Sequence, residues 1–345
     1  MHRELLNTLY VMKPYSYVRL DHETLRVECD GEKLAEVPLH HLGAIVLFDA
    51  ASISPQAMER CAADGREVVL LDAAGRFRCR IEGPVSGNVL LRKAQYDAHS
   101  DPKRLTNIAR RLVAGKIQNC RNLVMRGART AKDSKAEQAL RACADELASH
   151  LNELSSTEDI NKVRGIEGQA ASIYFEVFGH LITVDKNEFA FAVRTRRPPR
   201  DRVNALLSFT YALLASDCTS AASGVGLDPQ LGYLHGIRPG RPALALDLME
   251  ELRPCLSDRL VLNLINRRQI RAEHFEERPG HSVLLNEAGR RIVVVEYQKR
   301  KQDEVRHPLL KEKVPLGLVP HLQARLLARH LRGDTPEYPP FIMEI

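Results

Sequence analysis

The hydrophobic period of the chain changes once, and that change limits what it can fold into more than any other feature. Up to about residue 81 the apolar side chains alternate or run together as strands do. Residues 24–29 set Leu25, Val27 and Cys29 against polar neighbours, and residues 33–39 do the same with Leu34 and Val37. Between them Asp30-Gly31 is a two-residue hairpin signal, because both turn positions favour positive φ. Residues 44–48 and 67–71 are continuous apolar runs suited to buried strands, and residues 77–81 add another. Residues 54–63 between them read as a helix, with Ser54 as cap and Pro55 at its first position.

Beyond residue 88 the spacing becomes three and four. Leu105, Ile108 and Leu112, then Leu140, Cys143, Leu147, Leu151 and Leu154, mark amphipathic helices. Further helices are expected over about 165–181, 201–215, 243–253 and 318–332. Residues 292–297 are ambiguous, since a β-branched run sits between flanks that also suit a helix. The fold class expected is α+β: a small β-rich N-terminal domain over residues 1–88 and a larger all-α domain over 89–345, joined near residues 83–92. A chain of 345 residues, 44% hydrophobic and 27% charged, has apolar material for two such cores.

Composition removes several classes. The seven cysteines are scattered singly with no C-x-x-C pair, which argues against a disulfide framework and a structural zinc site. The longest apolar stretch, residues 205–215, is broken by Ser208 and Thr210 and is too short to span a bilayer. The N-terminus shows no signal-peptide pattern, so a reducing cytoplasm is expected. Fifty Lys and Arg against forty-four Asp and Glu leave +6, a balance that permits a polyanionic partner without requiring one. There is no Gly-rich phosphate loop and no nucleophile elbow.

Three stretches can carry chemistry. In Val163-Arg-Gly-Ile-Glu167-Gly-Gln-Ala-Ala-Ser-Ile-Tyr174-Phe175, small residues around Glu167 would let another backbone or a bulky ligand approach its carboxylate. The plainer alternative is a helix-start glutamate favoured by the dipole. In Leu231-Gly-Tyr-Leu-His235-Gly-Ile-Arg238-Pro-Gly-Arg241-Pro-Ala-Leu-Ala-Leu-Asp247-Leu-Met-Glu250-Glu251-Leu-Arg253-Pro254, a histidine loop leads into a helix with two acids three residues apart. Asp247 and Glu250 would share a face and could converge on one cation. Carboxylates with an imidazole suit Mg²⁺ or Mn²⁺. Pro254 should break the helix beside Glu250, and Arg238, Arg241 and Arg253 could grip phosphate oxygens. In Arg194-Thr-Arg196-Arg197-Pro-Pro-Arg200-Asp-Arg202, five arginines in nine residues read either as a nucleic-acid backbone contact or as a solvated loop. Arg110-Arg111 with Lys116, Arg121 and Arg126, and Arg267-Arg268 with Arg271, are weaker clusters of the same kind. Together these features indicate a metal-dependent enzyme acting on phosphodiesters.

At these residues the sequence resembles the CRISPR adaptation integrase, also called the CRISPR-associated endonuclease of spacer acquisition. The stretches around Glu167 and His235 are similar to the family's paired signatures. Gly83-Pro-Val-Ser-Gly-Asn88 running into Leu91-Arg92 is similar to its domain junction, and Val203-Asn204-Ala-Leu-Leu-Ser-Phe209 to its central helix. Gly317-Leu-Val-Pro-His-Leu-Gln323, continuing to Gly333, most closely resembles the type I, subtype C branch. The resemblance implies a β-rich N-terminal domain that forms a homodimer and a helical catalytic domain. Two such dimers would flank a dimer of a small ferredoxin-fold partner, with an iron–sulfur processing exonuclease as a further partner. The assembly would insert short double-stranded DNA into the CRISPR array through attack of a 3′-hydroxyl on a repeat phosphodiester. By motif position the metal triad falls on Glu167, His235 and Glu250, with Asp247 as a second-rank acid. Many relatives carry Asp where Glu250 stands. A site with neutral imidazole among its ligands should lose metal below roughly pH 6.5. A stand-alone nuclease on branched or duplex DNA is the alternative, using the same site without the partner.

Overall fold

A computed structural model describes residues 7–72, 75, 77–81, 83, 89–184 and 186–344. The expected domain junction at Pro84–Asn88 and the N-terminal residues Met1–Leu6 lie outside them.

Among the described residues the N-terminal part holds eight strands: β1 (Asn7–Val11), β2 (Tyr17–Asp21), β3 (Thr24–Cys29), β4 (Glu32–Pro38), β5 (Leu42–Phe48), β6 (Ser52–Ile53), β7 (Glu67–Leu71) and β8 (Phe77–Ile81). One sheet runs β4-β3-β2-β6 and the other β1-β5-β7-β8, whose first three strands are parallel. Asp30 and Gly31 form the β3–β4 turn with φ of 53° and 82°, as the dipeptide predicts. Helix α1 (Pro55–Ala63) starts where expected, the Ser54 side chain accepting from Ala57 N at 3.2 Å.

The second sheet is covered on both faces, and this explains why β5 and β7 read as unbroken apolar runs. Ile45, Leu47 and Val68 pack with Val18, Leu25, Val27 and α1 into a small core. Val46, Phe48, Val69 and Leu71 turn the other way and join the much larger core of the helical part. There the Phe48 ring stacks on Phe209 with centroids 6.0 Å apart. The two parts therefore share apolar core.

The remainder is mostly helical: α2 (Val89–Ser100), α3 (Pro102–Thr130), α4 (Ser134–Ser155), α5 (Ile160–Val177), α6 (Arg202–Val225), α7 (Ala243–Glu250), α8 (Arg259–Asn266), α9 (Glu287–Gln302) and α10 (Val319–Leu331). Two small hairpins, β9 (Phe275–Arg278) with β10 (Ser282–Leu285) and β11 (Glu304–Arg306) with β12 (Lys313–Pro315), interrupt it and were not anticipated. The ambiguous residues 292–297 lie inside α9. Asn286 caps that helix by accepting from Gly289 N, and Val293 and Tyr297 are buried one turn apart. A good cap and a 3.6-residue stripe thus prevail over the β-branched run. Helix α6 runs ten residues beyond the expected end, to a left-handed Gly226 at φ 92°.

The seven cysteines are unpaired. Among the described residues no helix is long and apolar enough to cross a membrane.

Candidate active site

Helices α3, α5 and α7, with the loop before α7, bring the candidate residues together. Helix α3 is capped by Asp101, whose Oδ1 accepts from Lys103 N and Arg104 N. Its buried stripe includes Ile108, Leu112, Lys116 and Cys120. A lysine at a buried stripe position must find a countercharge there. The Lys116 ammonium is bonded to Glu167 Oε1 on α5 and lies 2.6 Å from Glu250 Oε2 on α7.

Glu167 is well inside α5 rather than at a helix start, because Asp159 caps that helix. On either side of it Gly165 and Gly168 face open space, with no protein atom within 4 Å of where a Cβ would stand. No protein backbone fills the approach that these glycines leave.

His235 is set by Asp247. The Asp247 carboxylate is fully buried and accepts from the backbone N–H groups of Tyr233 at 2.5 Å, Leu234 at 3.0 Å and His235 at 3.0 Å. It also takes the His235 ring at Nδ1, 2.7 Å away. A carboxylate only accepts, so Nδ1 carries the hydrogen and Nε2 presents its lone pair. Gly232 makes the close approach possible, since a Cβ there would stand 2.7 Å from both Asp247 Oδ2 and the Ala243 carbonyl carbon. Gln95 braces the loop, donating to Asp228 O and Leu231 O, while Arg164 Nε donates to Leu234 O at 2.7 Å. The expectation that Asp247 and Glu250 converge on one cation is therefore corrected. Both Asp247 oxygens are engaged by the loop they organise.

Glu250 is 1% exposed. Its Oε1 is 3.0 Å from Arg253 Nη1 and 3.8 Å from His235 Nε2, while buried Oε2 is held by the Lys116 ammonium at 2.6 Å. Burial alone would raise this carboxyl, but the charges of Arg253 and Lys116 prevail and hold it below the usual range. Lys116 is likewise buried, and Glu250 and Glu167 raise its ammonium above its ordinary value against desolvation.

The helix does break at Pro254. Helix α7 ends at Glu250, and Arg253–Asp258 forms a π-helical segment before α8. That irregularity seats Arg253 over the Tyr211 ring of α6, 4.9 Å from its centroid. Tyr211 and Tyr174 in turn donate to Asp258 at 2.6 and 2.8 Å. Arg253, expected to grip phosphate, is instead the buried partner of Glu250. Glu251 points to the opposite side, where it accepts from Phe341 N and from Tyr338 and Gln323, fastening the C-terminal segment to the turn.

The arginine run divides. Arg194 is committed inward, donating to Asn204 Oδ1 and Ser208 Oγ and lying over the Tyr211 ring, 5.4 Å from its centroid. Its expected place in a nucleic-acid contact is thus corrected. Arg196, Arg197 and Arg200 are exposed, as is Arg238, whereas Arg241 is half-buried. Of the weaker clusters, Arg110 donates to Ser155 O, Arg111 pairs with Glu337, and Arg121 donates to Ala144 O.

Lys116 is the site residue whose place the sequence reading missed. The spacing of Leu105, Ile108 and Leu112 leads directly to position 116, so a charge on that stripe already indicated a buried ion pair. Among the described residues no three His, Cys, Asp or Glu groups stand together as a metal needs. The donor set nonetheless fits a divalent cation: two carboxylates that already meet on one cationic group, and an imidazole whose Nε2 lone pair is left over.

A β-rich module sharing a core with a helical domain, and acids and a histidine meeting where α3, α5 and α7 cross, define an enzyme of the CRISPR adaptation class. The model of the family described as CRISPR associated protein Cas1 matches residues 9–299, and the chain belongs to that family. It is 57% identical over 338 residues to the CRISPR-associated endonuclease Cas1 1 of Moorella thermoacetica, covering 98% of each chain. It is 38% identical to a CRISPR-associated exonuclease Cas4/endonuclease Cas1 fusion of Geobacter sulfurreducens, covering 97% of this chain and 60% of the fusion. Among solved structures it shares the fold of a casposase bound to integration product, with TM-score 0.83, 21% identity, and 97% and 93% of the two chains covered. It also shares the fold of a Cas6-RT-Cas1–Cas2 complex chain, with TM-score 0.82, 22% identity, and 99% and 36% covered.

Proposed function

We propose that this enzyme inserts short double-stranded DNA into the CRISPR array by joining a 3′-hydroxyl end to a repeat phosphodiester. The observation that carries the site is the meeting of Glu167 and Glu250 around one cationic group, with His235 Nε2 beside them. Glu167, His235 and Glu250 would hold a divalent cation, Mg²⁺ or Mn²⁺. When bound, that cation supplies charge stabilisation for the phosphodiester under attack. Asp247 holds His235 in the tautomer that presents Nε2, and Arg253 keeps Glu250 ionised. The open face beside Gly165 and Gly168 admits the DNA. Exposed Arg196, Arg197, Arg200 and Arg238 would meet its phosphates.

The assembly proposed is a homodimer formed through residues 1–88, with catalysis in 89–345, bound to a small ferredoxin-fold adaptation partner in the cytoplasm. The fusion of a relative to an exonuclease supports a processing exonuclease as a further partner.

The test is strand joining on a supercoiled plasmid carrying a leader and repeat, with short duplex DNA, the small partner, and either Mn²⁺ or EDTA. Joined product that requires both the metal and Glu167 is the expected result, judged against Glu167→Ala. A Glu167→Ala protein joining ends at the unsubstituted rate would overturn the assignment. Cutting without joining would move the function to a stand-alone nuclease.

A further inference from the structure

The two acids that meet at Lys116 are balanced in charge without any added ion. Glu167 and Glu250 contribute two negative charges, and Lys116 and Arg253 two positive ones. Arg253 lies to one side, on Glu250 Oε1 and the Tyr211 ring. Lys116 lies between the carboxylates, with its side chain only 7% exposed. An ammonium 2.6 Å from a carboxylate oxygen occupies the distance range a metal–oxygen bond would use, roughly 2.0–2.6 Å. The two cations cannot share that position. Placing a divalent cation beside an unmoved Lys116 would crowd two cations between the same buried carboxylates, which like-charge repulsion opposes.

We propose that Lys116 is a built-in occupant of the cation position, neutralising Glu167 and Glu250 in the metal-free enzyme and leaving when a divalent ion binds. This inference rests on the reading of Glu167, His235 and Glu250 as cation ligands. Lysine suits the role because its charge is a compact point on a flexible four-carbon stem. Glu167 keeps 25% of its side chain exposed, so the ammonium has a route towards solvent. The consequence runs opposite to that of a helper residue. Removing Lys116 should strengthen metal binding, because the ion no longer has to evict a bound charge.

The measurement is Mn²⁺ titration of the full chain, followed by loss of the free-ion electron paramagnetic resonance signal, for the unsubstituted protein, Lys116→Met and Lys116→Arg. Lys116→Met should bind Mn²⁺ at least about tenfold more tightly, and Lys116→Arg should remain within a few-fold of the unsubstituted protein. Equal or weaker binding by Lys116→Met, in a protein whose unsubstituted form does bind Mn²⁺, overturns the role of Lys116 and leaves the metal site standing. No binding by any form removes the metal site itself, and this inference with it. Should Lys116→Met fail to fold, amine acetylation of the unsubstituted protein decides the matter, with labelling at Lys116 read by mass spectrometry. Labelling should rise with Mg²⁺ over EDTA, while Lys301, buried against Asp217, should stay unchanged. No rise at Lys116 overturns the proposal.

Discussion

Asp247 Oδ1 stands 2.7 Å from His235 Nδ1, and the same carboxylate accepts the backbone N–H groups of residues 233, 234 and 235. One side chain therefore sets the fold of the histidine loop, the orientation of the ring and the nitrogen it presents.

Asp247→Asn separates these duties. An amide has a single acceptor oxygen, so it cannot serve three backbone donors and also take Nδ1–H. The substitution should weaken Mn²⁺ binding by about 10–100-fold, read by titration. Unchanged affinity would mean that Asp247 serves the loop alone.

The glycines of the site should respond in opposite directions. Gly232→Ala puts a methyl 2.7 Å from Asp247 Oδ2 and should cost about 1–3 kcal/mol in urea unfolding. Gly165→Ala and Gly168→Ala meet nothing and improve helix propensity, so each should stabilise the fold by about 0.5–1 kcal/mol. Both should nevertheless slow strand joining if DNA lies along that face, and an unaffected joining rate would place the DNA elsewhere.

Asp258 gives a pH dependence with a defined sign. Burial pushes its carboxyl from 3.8 up to about 6, although the Tyr211 and Tyr174 hydroxyls and the charges of Arg253 and Arg194 pull it down. A carboxyl raised in the folded state contributes most stability below its unfolded value and loses it as pH rises through the folded one. The stability of the unsubstituted protein relative to Asp258→Asn should thus fall between about pH 4 and 7, by about 3 kcal/mol in all. Thermal unfolding of the two proteins across that range checks it, and a difference that does not vary with pH would refute it.

The arginine run should divide as its burial does. Charge reversal at Arg196, Arg197 and Arg200 should flatten the salt dependence of DNA binding by roughly one unit of log–log slope per lost phosphate contact. Arg194→Ala should lower the melting temperature instead, because Asn204, Ser208 and the Tyr211 ring lose their partner. An unchanged slope in the first set would make that loop merely solvated.

Strands β3, β4, β5, β7 and β8, the Asp30-Gly31 turn, the Ser54 cap and the break at Pro254 were legible, because each depends on neighbours within a few residues. So were the motif residues around Glu167 and His235, which carried the resemblance to the family. Contacts across long separations were not legible. Arg194 and Ser208 are fourteen positions apart, and Lys116 and Glu250 more than a hundred. Charge counting could not tell an arginine facing solvent from one seated on a ring. The β9–β10 and β11–β12 hairpins are too short to give a period of their own.

Phe209 and Tyr211 stand two residues apart on α6. The first is stacked on Phe48 of the N-terminal sheet, and the second lies beneath Arg253. The core is continuous from sheet to helix, so Phe48 and Arg253 are held by neighbouring side chains of one helix. Anything that shifts Phe48 therefore acts on the same turn of helix that supports Arg253.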